Sequence, residues 1–554
     1  MLQIISGKFF KSSDLYSTDA KGILYSNYSW GDSIKTNVVN IEPMDVYSSV
    51  STYILSYKNE IEKGTILMRT GDYEILKQVK LISLFGLKSY FDIEKNNVQN
   101  LCRTERQFEG DNYFPSSYIR HFLDKRITGS KEEVYGFTEL FNKIIDLKRE
   151  TYKVIMLCLN TFDIAIKSLD QDINLSYSLL IYILETLSQN FDNYKTSWDD
   201  FDQNRKMKLE EYFNGVDPEK VINIKNTLIK DEHLKLTKRF LEFTKDHLSP
   251  DFFIAEAKGI TPAICKTMLD QLLINAYNLR SGYVHNLKPI LKQISISQIA
   301  KGEIFLWDNQ IYLTFSGLFR LTHHVLRNFI LKQPSVKTED FDWKNDLPGI
   351  VTFELAPEFW ISHHEGIKQE DSTKRFEGFL NQLVNKNITD IKELLKKYEL
   401  LIPQAKEPYK IQMLSTYLLF NSLADQDHKV DGYKEFISSQ EDIFSECTIE
   451  SMLVHLIMDT NWPWTIEACD EVLSEYIKNR YKKKKNKYLV LPHKYELALY
   501  INLANRYMEK EIYDGHQKWL DIALYDLAGQ IEMQNIIINA KKDASIVDVN
   551  IFLV

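Results

Sequence analysis

Arg280 and His285 are the two residues of this chain whose types and spacing best suit a reaction, since they stand five positions apart with Gly282 between them. An imidazole titrates near neutral pH and accepts a proton, whereas a guanidinium keeps its charge and holds two phosphate oxygens with its planar fork. RNA carries its own nucleophile, the 2′-hydroxyl, beside every phosphate, so its cleavage needs a base and a cation but no metal. The pair therefore indicates metal-independent cleavage of RNA.

The pair must be positioned by the helical segment in which it lies. Thr261 suits an N-cap and Pro262 suits the first turn, so the pattern predicts a helix from there to Leu279. A step of five residues turns about 140° around a helix, so Arg280 and His285 would not share one face of a straight helix. We expect a bend, a helix end or a second copy of the chain to bring the two side chains together.

The residues around the pair resemble the motif of a known family. The segment reads Tyr277-Asn-Leu-Arg280-Ser281-Gly-Tyr-Val284-His285. It resembles the signature of an arginine, a short spacer and a histidine that marks the HEPN superfamily of nucleases, found in microbial toxin and antiviral systems. The likeness is closer to the ApeA-like branch of that superfamily. It extends more loosely over residues 130–335 and does not cover the rest of the chain.

The resemblance implies a fold, a reaction and a set of site residues. It implies an antiparallel helical core, a homodimer in which both copies of the motif meet in one cleft, and cleavage of RNA to 2′,3′-cyclic phosphate ends by Arg280 and His285. The residues that we expect to bind RNA or support the pair are Tyr277, Asn278, Ser281, Tyr283 and Glu185. Many members carry Asn, Asp or His after the arginine, whereas this chain has Ser281. A hydroxyl can still form a hydrogen bond with phosphate, though a weaker one than an ion forms. Glu185 is a candidate partner of Arg280, and an exposed helix position is the alternative.

Other candidate sites favour ordinary structural roles. His323-His324 and His363-His364 are adjacent pairs whose side chains would point about 100° apart on a helix. No Asp, Glu or Cys stands at a ligand spacing from either pair, so we expect no metal site and no cofactor. The basic run from Tyr481 to Lys487 is either a solvated loop or a contact for RNA. The sequence contains no glycine-rich phosphate loop and no nucleophile elbow.

The composition limits the classes of function. A chain of 554 residues forms several domains. A formal net charge of -9 argues against coating of nucleic acid by bulk positive charge, so an RNA site must be local. Five scattered cysteines show no spacing typical of zinc or redox motifs, and polar residues interrupt the most apolar stretch, Val154–Ile166. We therefore expect a cytoplasmic protein with no signal peptide and no membrane segment.

The periodicity of apolar residues predicts a mainly α fold. A β-hairpin is predicted at Glu303–Phe315, with its turn at Asp308-Asn309, and Tyr495–Tyr507 with Trp519–Tyr525 resembles one helix pair of a tetratricopeptide-type repeat. The three predicted domains are residues 1–115, a small strand-containing domain with a regulatory or sensing role; residues 116–350, a HEPN-like helical nuclease bundle that carries the hairpin; and residues 351–554, a helical, repeat-like array.

These observations favour an endoribonuclease of a bacterial defence or toxin system that acts on RNA as a homodimer. A free ribonuclease would be lethal in its own cytoplasm, so we interpret the flanking domains as control elements that respond to a phage-derived trigger or a regulatory partner. The alternative is a catalytically inactive scaffold of the same type, which binds RNA or protein without cutting.

Overall fold

A computed structural model describes residues 1–63, 70–102, 115–119, 123, 128–191, 197–198, 203–231, 236–296, 302–348, 350–482 and 488–553. The chain divides into two compact units, Met1–Val351 and Thr352–Val554, and each unit has its own hydrophobic core. The boundary predicted near residue 115 falls inside the first unit.

The first unit begins with a small antiparallel sheet. Its strands are β1 (Leu15–Ser26), β2 (Ile34–Lys35), β3 (Val39–Asp45), β4 (Ser51–Glu62) and β5 (Phe91–Asp92), in the order β2-β3-β4-β1-β5. Alternate residues of β4 are buried, because one face of the sheet packs against a helix, Asp72–Gly86. Gly22 of β1 leaves room there for the Leu76 side chain. The opposite face carries polar and charged residues.

Helices form most of the rest of the first unit. Their bounds are α1 Leu2–Ile5, α2 Asp72–Gly86, α3 Lys95–Cys102, α4 Pro115–Tyr118, α5 Lys131–Ile145, α6 Arg149–Ser168, α7 Ile173–Phe191, α8 Gln203–Tyr212, α9 Pro218–Asp231, α10 Leu236–Asp246, α11 Pro250–Phe253, α12 Leu269–Asn286 and α13 Phe315–Lys332. Helix α7 contacts α6, α10, α12 and α13, so it is central to the bundle. Tyr177, Leu180, Leu184 and Leu187 recur along it at helical spacing and are buried.

The predicted β-hairpin is present in the bundle. Strands β6 (Ile304–Trp307) and β7 (Gln310–Leu313) pair antiparallel. The turn residues Asp308 and Asn309 have φ values of 48° and 57°, as a tight two-residue hairpin turn requires. Directly after β7, the Thr314 hydroxyl accepts a hydrogen bond from the backbone of α13 and caps that helix.

Helix α12 starts later than the sequence predicted. Thr261 and Pro262 lie outside any helix, and α12 begins at Leu269. Pro262 instead packs against Gly302 at the base of the hairpin, and its carbonyl oxygen accepts a hydrogen bond from the backbone nitrogen of Glu303 at 2.9 Å. The expected N-cap was wrong because this long-range contact outweighs the local signal.

The second unit is an array of helices. Their bounds are α14 Ser372–Val384, α15 Lys392–Leu401, α16 Tyr409–Leu423, α17 Tyr433–Ser438, α18 Ile449–Ile457, α19 Ile466–Asn479, α20 His493–Glu509, α21 Tyr513–Asp526, α22 Ile531–Asp543 and α23 Asn550–Leu553. Helices α20 and α21 pack against each other around the fully buried Trp519, where the sequence predicted a helix pair. Cys447 and Cys469 also meet, with 3.9 Å between their sulfur atoms, a proximity that their spacing did not indicate.

The chain is thus mainly helical, with a small antiparallel sheet near its N-terminus, as the sequence predicted. None of the helices that the structure describes combines the length and the apolar character that crossing a bilayer requires. The apolar stretch Val154–Ile166 belongs to α6. Most of the basic run, residues 483–487, lies outside the described residues.

Candidate active site

The predicted motif occupies the second half of α12, which packs against α7. The buried residues of the helix all precede it and are Leu269, Leu272, Leu273, Asn275 and Ala276. From Tyr277 to Asn286, every residue of α12 is at least partly exposed. The helix therefore changes from a core element to a surface element at the residue where the motif begins.

An ion pair with Glu185 holds Arg280 against α7. Its Nη2 atom lies 2.7 Å from Oε2 of Glu185, and both side chains are largely buried. The guanidinium also lies 5.2 Å from the centroid of the Tyr182 ring. The Nε atom is shielded from water and has no hydrogen-bond acceptor among the described residues. Arg280 therefore keeps an unused donor, which an anionic ligand can reach only after the side chains around it shift.

Glu185 lies in surroundings that disfavour its ionised form. Burial raises the pKa of the Glu185 carboxyl, and the charge of Arg280, a hydrogen bond with Tyr277 and a positive charge on His285 oppose this only in part. Burial and the Glu185 charge likewise raise the pKa of the Tyr277 phenol, against a hydrogen bond with Thr237. Glu185, Tyr277 and Arg280 form one electrostatically coupled cluster, and His285 lies within its reach.

His285 lies on the exposed side of the same helix. Helix α12 runs without a break through Asn286, so His285 stands about 140° around the helix axis from Arg280. Ser281 lies between the two in this arc. The helix is continuous from Arg280 to His285 and ends one residue later, at Asn286. A common substrate must therefore either span the arc over Ser281 or receive one of the two groups from a second copy of the chain.

The end of α12 is fixed to the start of α7. The Tyr283 hydroxyl donates a hydrogen bond to Oδ2 of Asp172 at 2.6 Å, and Oδ1 of Asp172 accepts from the backbone nitrogens of Asn174 and Leu175, which caps α7. Burial raises the pKa of the Asp172 carboxyl, but these hydrogen bonds outweigh burial and hold the pKa below its ordinary value. Just beyond α12, Leu287 has a left-handed φ of 52°, which is uncommon for a residue other than glycine.

The expected site residues fall into separate groups. Glu185, Tyr277 and Arg280 meet at the contact between α7 and α12, whereas Tyr283 turns to Asp172. Asn278 and His285 are exposed, and Ser281 is partly exposed. Asp172 is a supporting residue that sequence reasoning missed. An acidic residue directly before an apolar helix is an N-cap signal, but the sequence does not reveal its contact with Tyr283.

The two adjacent histidines of α13 serve the core. His323 Nε2 lies 2.9 Å from the carbonyl oxygen of Phe85, and His324 Nδ1 lies 2.9 Å from Oε1 of Glu256. Burial lowers the pKa of His323 to about 3. In the part of the chain that the structure describes, no group of His, Cys, Asp and Glu side chains has the arrangement of a metal site.

No model of a known protein family, no curated protein and no solved structure matches this chain. The roles of Arg280 and His285 therefore remain predictions, supported by the residues of the motif and by the geometry around them.

Proposed function

We propose that this protein is a metal-independent endoribonuclease of the HEPN type, with Arg280 and His285 as its catalytic residues. The observation that carries the proposal is the state of Arg280. One carboxylate fixes its guanidinium, a buried Nε donor has no acceptor among the described residues, and an exposed histidine follows on the same helix. A guanidinium that is held in place but incompletely bonded suits an incoming phosphate.

The reaction follows from the chemistry of the two groups. The neutral His285 imidazole removes the proton from an RNA 2′-hydroxyl, and O2′ forms a bond to the adjacent phosphorus. Arg280 stabilises the negative charge that builds up on the phosphate oxygens. The bond to the 5′-oxygen breaks, and an imidazolium returns a proton to that oxygen. The products are a 2′,3′-cyclic phosphate and a 5′-hydroxyl.

A homodimer brings two copies of the pair into one cleft in this proposal. Tyr182, Val284 and Leu287 are large apolar residues beside the arc and are 52%, 48% and 78% exposed. Apolar side chains grouped around polar site residues are typical of a contact surface. A two-fold contact there supplies His285 of one copy to the phosphate held by Arg280 of the other.

A defence or toxin role in the cytoplasm belongs to the same proposal and follows from the resemblance of the motif. The N-terminal sheet and the second unit then act as control elements that answer to a phage-derived trigger or a regulatory partner. This division explains why a nuclease site occupies only one helix of a chain of 554 residues.

Incubation of the purified protein with total RNA in the presence of a chelator tests the proposal. The parent protein is expected to produce fragments, whereas Arg280→Ala and His285→Ala are expected to produce none. His363→Ala is the matched control, since His363 is exposed and lies in the second unit. Equal cleavage by the parent and both motif variants would refute the assignment. Sequencing of the RNA ends then identifies which RNA is cut.

A second candidate function is a scaffold that binds RNA or protein without cutting. The unbroken course of α12 favours it, because a single chain keeps Arg280 and His285 about 140° apart around the helix. This alternative predicts that RNA binds to the parent protein and that no fragments form under any trigger.

A further inference from the structure

The outer face of the N-terminal sheet carries a row of polar side chains across four strands. In the register of the sheet, Lys35 pairs with Asn40, Asn40 pairs with Ser56, and Ser56 pairs with Lys21. Cross-strand partners point to the same face, so these four side chains lie next to one another. Side chains alternate along β4, so Ser56 lies on the outer face of the sheet, and the other face is buried against α2.

The row lies in a cleft with a local positive charge. The cleft has a volume of about 490 Å³, and its charged lining residues are Lys21, Lys35, Lys58 and Asp19. The three lysines are exposed, and none forms an ion pair with another described residue. Asp19, however, is the cross-strand partner of Lys58, so the uncompensated charge is that of Lys21 and Lys35. In a chain whose net charge is -9, such a group favours an anionic ligand.

The length of the row favours a ligand with several phosphates. Lys35 and Lys21 stand at its two ends, three strand spacings or about 14 Å apart at their backbones. A chain of linked phosphates is long enough to contact both ends at once.

Asn40, between them, is bonded to an acidic neighbour on the same strand. Its Nδ2 atom donates to Glu42 Oε1 at 2.6 Å, but its buried Oδ1 atom has no donor among the described residues.

We propose that the sheet face formed by Lys21, Lys35 and Lys58 binds the sugar–phosphate backbone of single-stranded RNA. The identity of the polymer rests on the proposed function, whereas the need for several phosphates rests on the sheet alone. Lysines bind such a backbone with little regard for sequence, so this face adds affinity for RNA without taking part in the reaction. It acts as a capture surface separate from α12.

Fluorescence anisotropy with a labelled single-stranded oligouridylate, measured over a range of salt concentrations, tests this proposal. All proteins carry His285→Ala, so that the probe stays intact. The test variant is Lys21→Gln/Lys35→Gln/Lys58→Gln. The control variant, Lys397→Gln/Lys434→Gln/Lys510→Gln, removes the same charge from exposed lysines of the second unit. Thermal unfolding shows that both variants are folded.

The test variant is expected to bind the probe about tenfold more weakly than the parent, with a salt dependence about two units shallower on a log–log plot, as the loss of three phosphate contacts on single-stranded RNA requires. The control variant is expected to bind like the parent. Unchanged binding by the test variant, or an equal loss in both variants, would overturn the proposal. Unlabelled oligouridylate should displace the probe, whereas AMP at the same concentration should not. Displacement by AMP would also overturn the proposal, since the cleft would then bind a mononucleotide.

The failure of this proposal is distinguishable from the failure of the nuclease assignment. Binding by the sheet is measured without cleavage, and cleavage depends on Arg280 and His285 in a separate assay. If the protein cuts RNA in chelator but binds RNA equally well without the sheet lysines, the nuclease assignment stands and only the proposed capture surface is refuted.

Discussion

Two arginine–glutamate pairs in the same bundle differ in how completely the guanidinium is used. At the base of the hairpin, Arg320 binds both carboxylate oxygens of the fully buried Glu303 through Nε and Nη2, and its Nη1 donates to the carbonyl oxygen of Phe252 at 2.7 Å. At the contact of α7 and α12, Arg280 binds Glu185 through Nη2, and its buried Nε has no acceptor among the described residues.

This difference distinguishes Arg280 from Arg320. The Nε atom of Arg480, which pairs with Glu496 in the second unit, also has no acceptor among the described residues. The feature therefore supports a role for Arg280 only together with the motif.

Glu303 also accepts a hydrogen bond from the backbone nitrogen of Ile264, so the Arg320 pair ties the loop before α12 to the hairpin and α13. All three side-chain nitrogen atoms of Arg320 donate to protein oxygens, so none of them is left without an acceptor. Arg280 is fixed in position yet incompletely bonded, and substrate is expected to complete its hydrogen bonds.

The largest expected effect is the loss of cleavage when the catalytic pair is broken. Arg280→Ala and His285→Ala are each expected to lower kcat/KM for RNA cleavage by about 100- to 10,000-fold, since each removes transition-state stabilisation or proton transfer. His285 is exposed, so its removal should leave the free energy of unfolding nearly unchanged. Gel-based cleavage rates and urea unfolding of each variant check this. Normal cleavage by His285→Ala would place the chemistry elsewhere.

The Arg320 pair is expected to show the opposite pattern. Arg320→Ala leaves the Glu303 carboxylate buried without its cation, which should lower the free energy of unfolding by about 3–5 kcal/mol. Folded molecules of this variant should still cut RNA. Urea unfolding and the cleavage rate per folded molecule measure the two effects. A free energy of unfolding equal to the parent's would show that the hydrogen bonds between Arg320 and Glu303 do not stabilise the fold.

Glu185→Gln is expected to have an intermediate effect on activity. The amide keeps the shape of the side chain but no longer fixes the guanidinium by charge, so cleavage should fall by about ten- to a hundredfold through misplacement of Arg280. The measurement is kcat/KM beside the Arg280→Ala variant. A loss as large as that of Arg280→Ala would indicate that Glu185 does more than position its partner.

The same variant gives a pH test of the buried carboxyl. Because the folded-state pKa of Glu185 is raised, the folded state binds more protons than the unfolded state, and stability falls as pH rises from the ordinary value near 4.3 through the folded pKa. The Glu185→Gln variant has no carboxyl at this position to ionise, so it does not lose stability in this way. Its stability relative to the parent should therefore improve from acidic to neutral pH, as urea unfolding at both pH values will show. A difference that stays constant with pH would contradict the raised pKa.

The smallest expected effect concerns Asp172, which fixes the end of the motif helix. Asp172→Ala is expected to cost about 1 kcal/mol of stability at neutral pH, because it removes the cap and the bond to Tyr283. The folded-state pKa of Asp172 is lowered, so this advantage exists above the unfolded-state value and is lost as pH falls through the folded pKa. Urea unfolding of the parent and the variant as a function of pH measures this difference in stability. Tyr283→Phe should lose less, because it leaves the cap intact.

Local features of the fold were predictable, whereas the long-range ones were not. The Asp308-Asn309 turn and the mainly helical character of the chain follow from short-range signals, and both are confirmed. The start of α12 was wrong, because a contact of Pro262 with the hairpin base outweighs the Thr261 N-cap.

The candidate site shows the same limit. The motif residues and Glu185 as a possible partner of Arg280 could be named from the sequence, but the burial of Glu185 depends on how α7 and α12 pack. Asp172 and Tyr283 are separated by 111 positions, and no local pattern reveals that they meet. The sequence indicated what chemistry the residues suit, and only the fold determines which of their donors are left unused.

The chemical form of the RNA ends tests the central claim most directly. RNA treated with the parent protein in chelator should carry 2′,3′-cyclic phosphates, detected by mass spectrometry, and RNA treated with His285→Ala should carry none. Fragments with a free 3′-hydroxyl and a 5′-phosphate, or identical ends from both proteins, would contradict an attack by the 2′-hydroxyl assisted by Arg280 and His285.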